Sequence, residues 1–342
     1  MKKRTIILTF IILIIVLHCI VPVALFAADL PLSPNPIPSP RTYDAGHDLE
    51  QLRGSMCGDY YVEQNFNDLR AMGANLVRWH LMFDYSSKTD YSNPTVYTQW
   101  LESELVKAEI VAKKCKSLRM LMIIDLVSQF PGDTSGPTCK GSPIFSRKES
   151  ADSFVHTWEV IAEHFKDDKT VWAFELLNEP QVPFIPGPLE EKAGQSDDVW
   201  NNLFVIATEH IRAIDPDRFV IYDPIMGCHP YSYILLSPLS IDRVIYTVHL
   251  YSPFDLTYQG LQTYPLSGAT YPGNIWNDGW ENWILSRQWT EKKNNWDKKT
   301  LRKLLHLCLI SRQRIMCQFL LVNSIARDGL QIIPRIGTSG IA

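Results

Sequence analysis

Apolar residues along this chain fall into short unbroken runs that alternate with longer stretches where they recur every three or four positions. Six runs read as strands: Leu52 to Met56, Asn75 to Leu81, Arg119 to Leu126, Val171 to Leu177, Arg218 to Ile225 and Arg243 to Tyr251. Between them the period changes to that of a helix. Val62 to Met72 is one such stretch, and Trp100 to Leu118 another, with Leu101, Leu105, Ala108, Ala112 and Cys115 on one face. Phe154, Trp158, Ile161 and Phe165 mark a third, and Trp200, Leu203, Ala207 and Ile211 a fourth, behind Ser196 and Asp198 as caps. Strand, helix, strand repeated in this way predicts a parallel sheet. With no glycine-rich dinucleotide turn, the expected fold class is α/β, a (β/α)8 TIM barrel, incomplete after strand six or seven.

Composition supports one large domain. The 342 residues are 46% hydrophobic and 20% charged, enough for a full core. A net charge of −4 excludes the polyelectrolyte signature of a nucleic-acid binder. Outside the barrel the pattern breaks at both ends. Lys2-Lys3-Arg4, the apolar stretch from Thr5 to Ile20 and the small residues around Ala27-Ala28 read as an export signal over 1–28, with a membrane span as the competing reading. Residues 29–45 form a proline-rich tether, with five prolines between Leu30 and Arg41. The expected location is therefore secreted, extracellular or periplasmic, with no stable membrane association after signal cleavage. Export permits disulfides among the cysteines that remain after signal cleavage, without fixing their pairing.

Candidate chemistry sits where the strands end. The run from Val171 to Leu177 stops abruptly at Asn178-Glu179-Pro180, which delivers an amide and a carboxylate to the C-terminal lip of a strand. In a barrel of this class the lip is where the active site lies. Three motifs then occur together: Gly73-Ala74-Asn75-Leu76-Val77-Arg78, Leu177-Asn178-Glu179-Pro180, and Val248-His249-Leu250-Tyr251 followed by Pro253-Phe254. Their order and spacing resemble glycoside hydrolase family 5, the cellulase-type retaining hydrolases, over roughly residues 46–305. The resemblance implies two catalytic glutamates, one after strand four as general acid/base and one at the end of strand seven as nucleophile. It makes Glu179 the acid/base, Asn178 the binder of the sugar 2-hydroxyl, Arg78 and Tyr251 supports of the nucleophile, and His249 a lining residue of the scissile-bond subsite. An ion pair inside the barrel is the competing reading of Arg78, and core packing that of His249 and Tyr251. His80 and Glu175 read as structural. Trp276, Trp280 and Trp283 suit either sugar stacking or an ordinary aromatic cluster.

The resemblance implies no cofactor, and no metal is expected because the histidines lack ligand spacing of the H-E-x-x-H kind. Polysaccharide or oligosaccharide is the expected partner. Two departures stand out. Asp125-Leu126 is followed by Val127 where the family commonly has histidine, so that subsite is altered or supplied by Gln129. The second is larger: no Gly-Glu-Phe follows Tyr251, and the only later glutamates are Glu281 and Glu291. From about His306 the apolar positions follow neither period. Gln318 to Ser324 can be written in codons that, read one nucleotide earlier, spell Pro-Ile-Phe-Val-Gly-Glu-Phe, the family's strand-seven motif. Extended upstream across Ile310, the same shift gives a fifteen-residue match. The expectation is a frameshift near residues 304–309, which makes 306–342 an out-of-frame tail. Two functions follow: a secreted hydrolase of β-linked polysaccharide (cellulose, glucomannan or mannan type), or an inactive remnant or carbohydrate-binding protein.

Overall fold

The computed structural model describes residues 52–57, 61–84, 87–133, 142–181, 189–236, 239–259, 268–277 and 292–310. The expected signal, the whole of the tether, and residues 311–342 of the expected tail lie outside them. So do Trp280, Trp283, Glu281 and Glu291.

Six strands form one parallel sheet in sequence order: β1 Gly54–Cys57, β2 Leu76–Leu81, β3 Leu121–Leu126, β4 Val171–Glu175, β5 Phe219–Tyr222 and β6 Val244–Tyr246. Four long helices follow four of these strands: α1 Glu63–Ala71, α2 Pro94–Ser117, α3 Lys148–Phe165 and α4 Leu189–Ile214. Short helices α5 Ser232–Leu235 and α6 Phe254–Thr257 follow β5 and β6. After them β7 Gly273–Asn277 and β8 Lys292–Trp296 pair antiparallel in a separate two-stranded sheet, and α7 is Lys298–Ile310. All six expected strands form. The last is shorter than the apolar run, because only Val244, Ile245 and Tyr246 pair with β5.

Alternation along the strands sorts side chains onto two buried faces. Val77, Trp79, Met122, Ile124, Phe174, Val220 and Tyr222 pack in the large cluster with the helices, whereas Leu76, Leu121, Ile123, Trp172, Ala173, Phe219, Ile221 and Ile245 form a second cluster on the other face. Both faces being apolar is what a parallel sheet covered on both sides requires. On β2 and β3 the inner face changes character toward the C-terminal end. Leu76 and Leu121 are partners low in the sheet, and four pairs higher His80 stands beside Asp125, itself beside Glu175 on β4.

Tight contacts set where these ends lie. Gly54 is required at the start of β1, because a Cβ there would lie 1.9 Å from the Leu76 carbonyl oxygen. Gly73, at φ +89°, closes α1 with its own N–H on Arg70 O and the Ala74 N–H on Leu69 O, which aims the chain into β2. Two buried tryptophans fix the lips of β4 and β5. Trp158 Nε1 on α3 donates to Leu176 O at 3.1 Å, and Trp200 Nε1 on α4 donates to Asp223 O at 2.9 Å.

Candidate active site

Four of the five expected site residues stand at the C-terminal ends of strands, and Arg78 lies on the inner face within β2. Asn178 and Glu179 follow β4, and His249 and Tyr251 follow β6. Glu179 is the one the structure surrounds with donors. Its Oε1 receives His249 Nδ1 at 2.6 Å and the Tyr251 hydroxyl at 2.9 Å. Its side chain keeps 15% of its surface exposed, while that of His249 has none. Burial raises the Glu179 pKa, but the hydrogen bonds from His249 and Tyr251 and the positive charge of Arg78 outweigh it, so the carboxyl is held below its ordinary value. Tyr251 moves the opposite way: burial and the adjacent Glu179 charge push its hydroxyl up, so it stays a donor. Behind it Tyr251 is stacked on Phe254, with Tyr258 tilted against it.

Glu179 sits at φ +45°, a left-handed conformation. What holds it there is Asp223, just past β5, whose Oδ2 accepts the Glu179 backbone N–H at 3.0 Å. Asp223 Oδ1 accepts the Thr247 hydroxyl, and the Thr247 N–H is tied to Tyr222 O at 3.2 Å. Asp223 therefore links the lips of β4, β5 and β6. It was not among the expected residues. A signal existed, since Asp223-Pro224 ends an apolar run as Glu179-Pro180 does.

Arg78 is gripped on the inner face by carboxylates and an amide. Its Nε and Nη2 form a two-pronged pair with Glu175, each at 2.6 Å, and Nη2 also donates to Asn178 Oδ1 at 2.8 Å. Asp125 Oδ2 lies 3.1 Å from the same Nη2 and in close contact with His80 Nδ1. The resemblance puts Arg78 and Tyr251 beside the second carboxylate, whose expected motif lies outside the described residues; among those described, Tyr251 donates to Glu179 and Arg78 pairs with Glu175. The ion pair inside the barrel, given above as the competing reading of Arg78, is thus present. Burial pushes the Glu175 carboxyl well up, reinforced by the nearby charges of Asp223 and Asp125 against the pull of Arg78. For Asp125, burial is outweighed by Arg78 and His80, and its pKa is lowered.

Gln129 is fully buried, with its Nε2 donating to Val127 O at 3.4 Å and its Oε1 accepting Ser142 Oγ at 3.4 Å. Trp276 on β7 is about half exposed, with Lys293 Nζ 5.9 Å from its ring centre. Among the described residues one group has metal-ligand character: Asp223, Cys228 and His249, all buried, with ligand atoms within 4.8 Å of one another.

The family model Cellulase (glycosyl hydrolase family 5) matches residues 42–305. The chain belongs to this family. Endoglucanase C of Acetivibrio thermocellus is 24% identical over 269 residues, covering 76% of this chain and 72% of that protein, and endoglucanase C307 of Clostridium sp. gives the same values. Among solved structures, a glycoside hydrolase superposes with a TM-score of 0.54 at 19% identity, covering 79% of this family 5 chain and 77% of that one. The clostridial cellulose synthase subunit Z from Clostridioides difficile gives 0.51 at 18%, covering 78% and 75%. At such identities the structural likeness establishes the fold: a (β/α)8 barrel, six of whose parallel strands are among the described residues. Family 5 membership makes this a chain of the glycoside hydrolase class.

Proposed function

We propose that this gene encodes an exported retaining hydrolase of β-linked glucan, with Glu179 as general acid/base, and that the chain as written binds sugar without turning it over. The observation that carries the reading is the convergence of His249 and Tyr251 on one oxygen of Glu179 at the lip of β4. A strand-end carboxylate positioned by two donors, with a shared amide beside it, suits proton transfer to a glycosidic oxygen. Endoglucanase relatives favour glucan over the mannan alternative. The leader at 1–28 supports export.

Retaining hydrolysis needs two carboxyl groups about 5 Å apart. One protonates the leaving oxygen while the other attacks the anomeric carbon, and the first then deprotonates the water that releases the sugar. Among the described residues the carboxylates near Glu179 hold other partners: Glu175 and Asp125 face Arg78, and Asp223 holds the Glu179 amide. The His249 and Tyr251 hydrogen bonds lower the Glu179 pKa, and the like charge of a second carboxylate beside it would raise it toward that of an acid. We assign that carboxylate to the glutamate of Pro-Ile-Phe-Val-Gly-Glu-Phe, present in the shifted frame over Gln318 to Ser324 and absent from the written one.

Expression of the written reading frame beside one with the frame restored near codon 306, assayed on β-glucan and on mannan at equal soluble concentration, tests this. The restored enzyme should hydrolyse β-glucan, and the written chain should not. Glu179→Gln in the restored enzyme should lower the rate on polysaccharide by ~10²–10⁴, and by less on activated aryl glycosides. Comparable turnover by the written chain would overturn the two-glutamate assignment.

A further inference from the structure

We propose that Asp223, Cys228 and His249 form a binding site for one thiophilic divalent cation of the zinc class. The three residues come from separate pieces of chain: the end of β5, the turn after it and the end of β6. That is why no sequence spacing announces them. The turn is unusual, because Met226, Gly227 and Cys228 have φ of +63°, +65° and +58° in succession. Left-handed backbone at non-glycine residues costs about 1–3 kcal/mol each and persists only where surroundings impose it. Here Cys228 N–H donates to Pro224 O at 3.1 Å, its own carbonyl accepts the His249 N–H at 2.9 Å, and Ser232 Oγ donates to Ile225 O at 2.6 Å. The turn folds Cys228 back so that its thiol comes within 4.8 Å of ligand atoms of both Asp223 and His249.

The observation that points to a ligand is at His249. Its Nδ1 is engaged by Glu179, while Nε2 is buried without a hydrogen-bond partner, 3.8 Å from Asp223 Oδ2. A buried ring nitrogen without a partner is costly. Ligand atoms around tetrahedral zinc sit about 3.3–3.7 Å apart, given bonds of about 2.0–2.3 Å. The observed separations, up to 4.8 Å, are wider than this, and a bound cation would draw the three side chains together. Sulfur, nitrogen and oxygen donors in one group select zinc-like ions over magnesium or calcium. On binding, the cation replaces the thiol proton, which leaves to solvent.

Supporting hydrogen bonds are already present. A cation on Nε2 leaves Nδ1 as the N–H that donates to Glu179, the carboxylate–histidine–metal arrangement that orients metal-bound imidazoles. Asp223 is fixed by Thr247 and by the Glu179 amide. Three protein ligands leave a fourth position open, on a site bordered by the partly exposed Glu179. The site rests on geometry alone; only its effect on hydrolysis rests on the acid/base reading of Glu179.

Titration of the full-length metal-free chain with cobalt(II) chloride, followed by optical absorption, tests the site without any hydrolysis assay. One cobalt per chain should bind, with the visible bands of a four-coordinate centre and a sulfur-to-cobalt charge-transfer band, both removed by one equivalent of zinc. Cys228→Ser should abolish the charge-transfer band, and Cys57→Ser should retain it. If Cys228→Ser does not fold, the ¹¹³Cd resonance of the wild-type chain decides, since its position counts thiolate ligands and one is expected. No stoichiometric binding, a band that survives Cys228→Ser, or a cadmium signal of no thiolate or of two would overturn the proposal. Failure of hydrolysis in the restored enzyme would leave this result untouched.

Discussion

Two groups of charge lie within a few residues of each other in this barrel and behave in opposite ways. The first is Arg78 with Glu175, Asp125 and His80, on the inner face of β2, β3 and β4. Arg78 is 2% exposed, Glu175 and Asp125 not at all, and the cation is gripped by both oxygens of one carboxylate and approached by another. The second is Glu179 with His249, Tyr251 and Asp223, at the lip. There a carboxylate stays partly exposed, both side-chain donors converge on one of its oxygens, and a buried histidine nitrogen lacks a partner. The inner group has settled its charge internally. The lip group holds its carboxylate in place but leaves bonding capacity unspent, which is what a site that must act on something else requires.

Substitutions separate the two. Arg78→Met should have the largest effect, because it strands Glu175 and Asp125 as buried carboxyls with no cation; breaking one side of a buried ion pair costs about 3–5 kcal/mol. Urea unfolding at neutral pH reads it. Asp223→Ala should cost less, about 1–3 kcal/mol, by removing the acceptor of the Glu179 N–H and the Thr247 hydroxyl. A crystal structure of that variant should also show Glu179 leaving its left-handed conformation. Tyr251→Phe should have the smallest effect, about 1 kcal/mol, and only above acidic pH. The folded-state pKa of Glu179 lies below the unfolded value, so its stabilisation is present above about pH 4.3 and fades as pH falls through the folded value. Removing the Tyr251 donor brings the two values closer. Wild type and variant should therefore differ at pH 7 and converge near pH 2. A loss from Tyr251→Phe as large as that from Arg78→Met, and independent of pH, would erase the distinction between the two groups.

The alternation of apolar runs and helical periods made the sheet legible, because parallel strands buried on both faces are mostly apolar, and their few charged positions, Arg78, His80, Asp125 and Glu175, leave the runs recognisable. Element ends were less so. The run from Arg243 to Tyr251 reads as nine residues of strand, yet only three pair with β5, since the rest leaves the ladder to form the lip. Glu179, His249 and Tyr251 announced themselves by following such runs. Glu175 did not, because its partner Arg78 lies 97 positions away and nothing local marks a pairing across the barrel. Cys228 was hidden for a related reason: its place depends on a left-handed turn through Met226, a residue that gives no local sign of such a turn.

The backbone at Glu179 carries a record of selection. A glutamate at φ +45°, followed by proline, is held against its own preference, and glycine or asparagine would sit there with less strain. In a gene released from the demand for catalysis, drift toward those residues would relieve the backbone at no loss. Glutamate at this position is what a recent break in the reading frame predicts, whereas long decay predicts its replacement. If the frame is broken as proposed, the geometry of this one peptide unit becomes a clock for how long the carboxylate has been without a partner.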